Sequence, residues 1–125
     1  MNGPKPQVAI ALFWNKEGLQ VIGAIVGDIV GSVYEWHNIK TKDFPFFRPD
    51  CFFTDDTVMT CAVYRAIRDF KDGSAADLDR ALTETMQLFG RRYPDRGYGG
   101  HFTMWLSSGA PRPYNSFGNG AAMRV

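Results

Sequence analysis

The sequence carries almost no net charge and very little cysteine. Fourteen Lys and Arg residues face thirteen Asp and Glu residues, which gives a formal charge of +1. No overall field therefore favours nucleic acid or an anionic membrane, and we expect neither as a partner. Cys51 and Cys61 are too few for a disulfide framework and cannot ligate zinc by themselves. We therefore expect a reducing, cytoplasmic setting.

Long hydrophobic runs are also missing. The longest apolar run near the N-terminus, Val8 to Trp14, is at the short limit for a signal peptide, and no small-residue cleavage site follows it. The length of 125 residues fits one domain, and a hydrophobic content of 45% is enough for a core. We divide the chain into an N-terminal arm, residues 1–18, and a helical domain, residues 19–125.

Residues 19–36 follow the period of an α-helix. The apolar residues share one arc, and the opposite arc is small and acidic, with Gly23, Gly27, Asp28, Gly31 and Glu35. We expect both arcs to be buried, with the glycines admitting another backbone. A membrane helix is disfavoured by the short length and by Asp28, whereas a buried strand remains an alternative.

Further helices are predicted downstream. An apolar arc indicates a helix over 58–70, and a capping box at Ser74 and Asp77 begins another that ends at Gly90. Residues 39–53 are rich in Phe and Pro without either period, which indicates a loop. That loop is either a lid or wall of a site, or a segment pinned to the core by its phenylalanines. The expected fold class is all-α.

Thr54-Asp55-Asp56-Thr57 precedes the second helix. One acid would suffice to cap the helix N-terminus. Two adjacent carboxylates between hydroxyls also form an all-oxygen group suited to a hard cation such as magnesium or calcium. Capping and cation binding both remain open from the residues alone.

A second candidate is the glycine-rich run Ser116 to Gly120. A glycine-rich turn that leads into a helix presents backbone N–H groups and a positive dipole end to phosphate. An ordinary turn is the alternative, because the run matches neither the P-loop nor the dinucleotide fingerprint. No grouping of Ser, His and Asp or of Cys and His supports nucleophilic catalysis.

Three stretches together resemble the ADP-ribosylglycohydrolase family, which includes dinitrogenase-reductase-activating members. The matching stretches are Gly23-Ala-Ile-Val-Gly-Asp-Ile-Val-Gly-Ser-Val-Tyr-Glu35, Phe53-Thr-Asp-Asp-Thr-Val-Met-Thr60 and Gly118-Asn-Gly-Ala-Ala-Met-Arg-Val125. They occur in the family's order, and three ordered motifs are more specific than any one.

The resemblance implies an all-α fold whose cleft holds two Mg²⁺ ions and releases ADP-ribose from a modified protein or small molecule. Thr54, Asp55 and Asp56 match the family's first cluster of metal ligands, and Asp55 and Asp56 are also implied to take part in catalysis. Glu35 matches an acidic position beside the metals. The loop that holds ADP-ribose is matched by Gly118, Asn119 and Gly120.

The resemblance also implies that this chain is an N-terminal half. The family's remaining metal ligands lie in a C-terminal Asp-x-Asp-Thr motif, and the run Ala121 to Val125 reads as a helix cut short. We therefore expect an incomplete magnesium site, weak metal affinity and doubtful activity of the chain alone. A separate C-terminal half or self-association would then cover the exposed apolar faces.

The function predicted at this point is magnesium-dependent hydrolysis of the glycosidic bond of ADP-ribose. Either Glu35 or one of the metal-bound acids would be the base. The alternative is a non-catalytic relative that binds ADP-ribose or has only a structural role. Magnesium-dependent phosphoester hydrolysis is a third hypothesis, since it uses the same hard ligands.

Overall fold

A computed structural model describes residues 19–124, and within that range the fold is entirely helical. The four α-helices are α1 (Leu19–Gly31), α2 (Asp55–Asp69), α3 (Ala75–Arg92) and α4 (Gly100–Ser107). Short 3₁₀ turns lie at Ser32–Tyr34 and Ala122–Arg124, and these residues form no strand. The all-α prediction is confirmed. The predicted N-terminal arm, residues 1–18, lies outside the described residues.

The first helix is shorter than the sequence predicts. It ends at Gly31 and continues as the 3₁₀ turn, so Glu35 does not share an α-helical face with Asp28. Ser32 donates its hydroxyl hydrogen to the Ile29 carbonyl at 2.8 Å and accepts from the Phe52 N–H at 3.1 Å. Such a local side-chain bond competes with helix continuation, and the nearby glycine weakens the helix further.

The glycine face of α1 also differs from the expectation. Gly23, Gly27 and Gly31 are exposed, and a Cβ atom added at any of them would meet nothing within 4 Å among the described residues. The prediction that these glycines admit a neighbouring backbone is therefore wrong for the described part of the chain. Small residues permit close approach without requiring it.

The core lies where α2 packs against α1 and α3, and where α4 packs against α3. Val58, Met59 and Leu106 are its buried centre, and Met59 is fully inaccessible to solvent. Around them pack seven partly buried side chains: Phe53, Met86, Phe89, Tyr93, Tyr98, Phe102 and Trp105. The predicted apolar arc of α2 is largely correct, although Ile67 is exposed and Thr60 is buried.

The capping box of α3 forms as predicted. Ser74 Oγ accepts from the Asp77 N–H, and the Asp77 carboxylate accepts from the Ser74 N–H. The helix continues past Gly90 to Arg92, because Gly90 serves helix packing and not helix termination. A Cβ atom at Gly90 would lie 2.5 Å from the Leu106 side chain.

The aromatic loop is anchored at one end. The Phe53 ring lies 3.9 Å from the Arg96 guanidinium and 5.8 Å from the Tyr93 ring, measured to the centroid of Phe53. By contrast Phe46, Phe47 and Phe52 stay largely exposed. The loop is thus pinned to the core through Phe53, which leads directly into Thr54. No helix within residues 19–124 is long and apolar enough to cross a bilayer.

Candidate functional site

Asp28 joins α1 to the start of α2. Its carboxylate accepts four hydrogen bonds: from the Thr54 N–H at 2.8 Å, the Thr54 hydroxyl at 2.5 Å, the Thr57 N–H at 3.2 Å and the Thr57 hydroxyl at 2.5 Å. A carboxylate at a helix N-terminus is favoured by the free N–H groups and by the helix dipole. Asp28 therefore fixes both hydroxyls that flank the acidic pair.

Thr54 is the N-cap of α2 and is buried. Its hydroxyl donates to Asp28, and one of its two oxygen lone pairs accepts from the Asp56 N–H at 3.2 Å. A hydroxyl has two lone pairs, so one stays available. The capping prediction is confirmed, with Thr54 as the capping residue. One acceptor lone pair of its hydroxyl oxygen stays unused by the cap.

Asp55 is half-buried in the first turn of α2. Its N–H donates to the Arg96 carbonyl at 2.7 Å, and Gly97 follows with a φ of 91°, a region that favours glycine. Burial raises the pKa of the Asp55 carboxyl, and the negative charges of Asp56 and Asp28 raise it further, while Arg124 lowers it. The carboxylates are crowded here, and a bound cation would stabilise their charged form.

Asp56 has a partner from the far end of the described chain. Arg124 Nη2 donates to Asp56 Oδ1 at 3.0 Å.

Tyr98 lies near Asp55. Burial, followed by the charge of Asp55, raises the pKa of the Tyr98 phenol to about 12. The buried Tyr98 hydroxyl has no hydrogen-bond partner among the described residues.

The structure brings some predicted site residues together and leaves others apart. Thr54, Asp55 and Asp56 form one cluster, and Gly120 reaches it indirectly, because it lies against the Arg124 side chain. Glu35 is exposed beyond the 3₁₀ turn, with no described contact to the cluster. Gly118 and Asn119 are exposed; the Gly118 N–H donates to Ser116 Oγ and the Asn119 carbonyl accepts from the Ala122 N–H.

The cluster suits magnesium by its donor chemistry but supplies few ligands. All its donors are oxygens, and the open lone pair of Thr54 lies beside two acids. Within residues 19–124, no group of three or more His, Cys, Asp or Glu side chains is arranged to hold a metal ion. The described residues alone therefore do not form a complete metal site.

Sequence reasoning underrated two residues. Asp28 is an acid on an otherwise small and apolar helix, and a buried acid needs a partner. Nothing in the sequence identifies Thr54 and Thr57 as that partner. Arg124 gave no local signal, because its ion pair with Asp56 spans 68 positions. Both contacts depend on tertiary structure.

A groove of about 670 Å³ lies beside the aromatic loop and is separate from the cluster. It is lined by residues from the 3₁₀ turn and the loop, among them Tyr34, Trp36, Arg48 and Phe52. Arg48 pairs with Asp50 at 2.7 Å and lies 5.9 Å from the Tyr34 ring centroid. The groove is broad and shallow, so we assign it no ligand.

Comparison with known proteins gives concordant results. A family model described as ADP-ribosylglycohydrolase matches residues 20–125. "ADP-ribosylhydrolase ARH3" of Xenopus tropicalis is 31% identical over 130 residues, covering 84% of this chain and 36% of that protein. The Mus musculus protein of the same name is 29% identical over 133 residues, covering 82% and 35%. No solved structure matches.

The chain spans about a third of the length of these curated relatives, less than the half that the motifs suggested.

Proposed function

This chain belongs to the ADP-ribosylglycohydrolase family, and from that premise we propose that it contributes to hydrolysis of the glycosidic bond between ADP-ribose and a modified protein or small molecule. The observation that carries the proposal is the acidic cluster at the start of α2. There Asp28 fixes the Thr54 hydroxyl so that one lone pair remains open beside Asp55 and Asp56. A helix cap alone does not require the second acid.

Thr54, Asp55 and Asp56 would hold magnesium, two ions in the complete site. When bound, the metal supplies a Lewis acid that polarises oxygen and orients ribose hydroxyls. Asp28 keeps Thr54 oriented for that purpose. Asp55 is one candidate for the base that removes a proton from the attacking water, because it lies in the cluster where that water would be held.

Glu35 is the second candidate for the base. It lies exposed just beyond the 3₁₀ turn, and the bond between Ser32 and the Phe52 N–H ties that turn to the segment leading into Thr54. Movement of a short segment would be needed to bring its carboxylate to a substrate. Asp55 is already in the cluster. Lower hydrolysis with unchanged magnesium affinity in Glu35→Gln would identify Glu35 as the base, and unchanged hydrolysis in Glu35→Gln would favour Asp55.

Gly118, Asn119 and Gly120 would bind the ADP-ribose. The absence of side chains at both glycines allows a pyrophosphate or ribose to approach the backbone closely. Gly118 and Asn119 are exposed, which is consistent with this role, and the partly buried Gly120 is linked to the cluster through Arg124. We propose that the loop positions the ADP-ribose while the cluster acts at the ribose.

We further propose that the working site needs oxygen donors from outside the described residues. Magnesium favours about six oxygens, and this cluster offers three side chains. A further part of the polypeptide, a separate C-terminal polypeptide or a second copy of the chain could supply them. Exposed apolar side chains such as Trp36, Phe46 and Met104 offer surface for such an association.

A binding protein without catalysis is the alternative, and the small number of cluster ligands favours it for the chain alone. The test incubates an ADP-ribosylated protein with magnesium and this chain, with and without the C-terminal two-thirds of the Xenopus relative. Release of intact ADP-ribose supports the hydrolase. Products split at the pyrophosphate would indicate phosphoester hydrolysis, and binding of ADP-ribose without release would indicate the non-catalytic alternative.

We also propose that the protein acts in the cytoplasm. Cys51 and Cys61 are both free thiols, as a reducing compartment would keep them. Mass spectrometry of the protein purified from its own cells under rapid alkylation tests this. Two alkylated cysteines are expected, whereas a disulfide would contradict the assignment.

A further inference from the structure

Arg124 makes the longest-range charged contact in the cluster. Its Nη2 donates to Asp56 Oδ1 at 3.0 Å, and its side chain is 11% exposed against 35% for Asp56. An ion pair this well shielded from water is more than a transient surface contact. No other described side chain bonds to the Asp56 carboxylate, so its second oxygen remains open.

The rest of the guanidinium faces the glycine loop. A Cβ atom at Gly120 would collide with Arg124 Nη1, and the buried Arg124 Nε has no partner among the described residues. Gly120 therefore has a purpose visible in the structure: it leaves space for the arginine. The same guanidinium thus touches the loop on one side and the acidic cluster on the other.

The remaining attachments of this segment are weak. Residues 112–119 are exposed, and Tyr114 makes an edge contact with His101, with ring centroids 6.2 Å apart. The 3₁₀ turn Ala122–Arg124 packs on α2. The ion pair is accordingly the principal polar connection between the loop and α2 in the described chain.

We propose that Arg124 is a positioning residue that couples the glycine loop to the acidic cluster. It holds one oxygen of Asp56 and leaves the other free for a cation, and it holds Gly120, and with it the loop, near the cluster. This inference rests on the proposed function, in which Asp56 binds the cation and the loop binds ADP-ribose. Partners that orient a ligating carboxylate typically change metal affinity 10-fold to 100-fold when they are removed.

The test uses the 125-residue chain and NMR, which yields backbone order and cation affinity from the same sample. In Arg124→Met, the order parameters of residues 118–120 should fall below about 0.6, the range of flexible backbone. The magnesium dissociation constant, followed at the Thr54 to Thr57 amides, should rise about tenfold. Gly120→Ala should act in the same direction, because it displaces the guanidinium.

Two controls separate positioning from a general loss of structure. Arg124→Lys keeps the charge, although it lacks the planar fork, and should restore part of the magnesium affinity. Arg80→Met removes an exposed arginine that pairs with Asp77 on α3 and should change neither quantity. Helical circular dichroism should stay unchanged in every variant.

Each outcome decides the proposal. Unchanged loop order in Arg124→Met, or tighter magnesium binding, would refute it; tighter binding would identify Arg124 as a cation that competes with the metal. If the wild-type chain binds no magnesium at all, the cation part of the proposed function fails. Loop order in Arg124→Met and Asp56→Asn would then still show whether the arginine couples the two elements.

Discussion

Replacing Asp28 by asparagine should destabilise the fold more than any other polar substitution in the cluster. The carboxylate accepts four hydrogen bonds that join α1 to the start of α2, two of them at 2.5 Å. Oδ2 accepts three of these bonds, and Oδ1 accepts only the Thr54 hydroxyl. Asparagine has one acceptor oxygen. With that oxygen in the place of Oδ2, three bonds lose their charged acceptor, and the Thr54 hydroxyl faces an amide nitrogen that cannot accept it.

The loss in the free energy of unfolding follows from the bonds that lose their charged acceptor. A hydrogen bond to a charged group contributes about 1.5–3 kcal/mol, and bonds sharing one carboxylate are not additive. We expect a loss of about 3 kcal/mol, which moves the urea midpoint by roughly 1.5 M for a slope of about 2 kcal/mol per M. Thr57→Val removes one hydroxyl that bonds to this carboxylate and should cost about 1.5 kcal/mol. A midpoint shift for Asp28→Asn no larger than that for Thr57→Val would refute the role given to Asp28.

Three further predictions concern the core and the titrating groups. Gly90→Ala should lower the free energy of unfolding in urea by about 1–2 kcal/mol, because overpacking against Leu106 outweighs the gain in helix propensity. Gly23→Ala, at an exposed position of α1 with no neighbour within 4 Å, should raise the free energy of unfolding. Burial raises the pKa of Cys61 to about 11 from an ordinary 9.0. Iodoacetamide at pH 8 should therefore modify Cys61 roughly 100-fold more slowly in the folded than in the unfolded protein. Equal rates would contradict its burial. Because the pKa of Asp55 is raised on folding, its ionisation opposes folding above the unfolded pKa. Without metal, Asp55→Asn should then slightly raise the melting temperature at pH 7 but not at pH 3. A lower melting temperature at pH 7 would contradict the crowding of the Asp55 carboxylate by Asp56 and Asp28.

Local sequence signals predicted the helices well. The capping box at Ser74 and Asp77 forms as expected, because its bonds join residues three positions apart. The sequence predicts the end of α1 too late, since the bond from Phe52 that secures the 3₁₀ turn comes from a different segment. It also predicts a helix end at Gly90, because periodicity does not reveal the packing partner Leu106.

The candidate site was predictable only in part. Two acids between two threonines before an amphipathic helix indicate both a cap and an oxygen-rich cluster, and Thr54 confirms the cap. The roles of Asp28 and Arg124 depend on contacts across 26 to 29 and 68 positions respectively. Metal binding by the cluster and the role of Glu35 stay predictions.

Paramagnetic NMR with Mn²⁺ will show whether Thr54, Asp55 and Asp56 form a cation site. Mn²⁺ shares the oxygen preference of Mg²⁺ and reports even weak binding, because it broadens nearby signals. Substoichiometric Mn²⁺ should broaden the amides of residues 54–57 first, excess Mg²⁺ should reverse the effect, and Asp55→Asn combined with Asp56→Asn should abolish it. Broadening that is absent, uniform, or centred on another group of acids would contradict the claim.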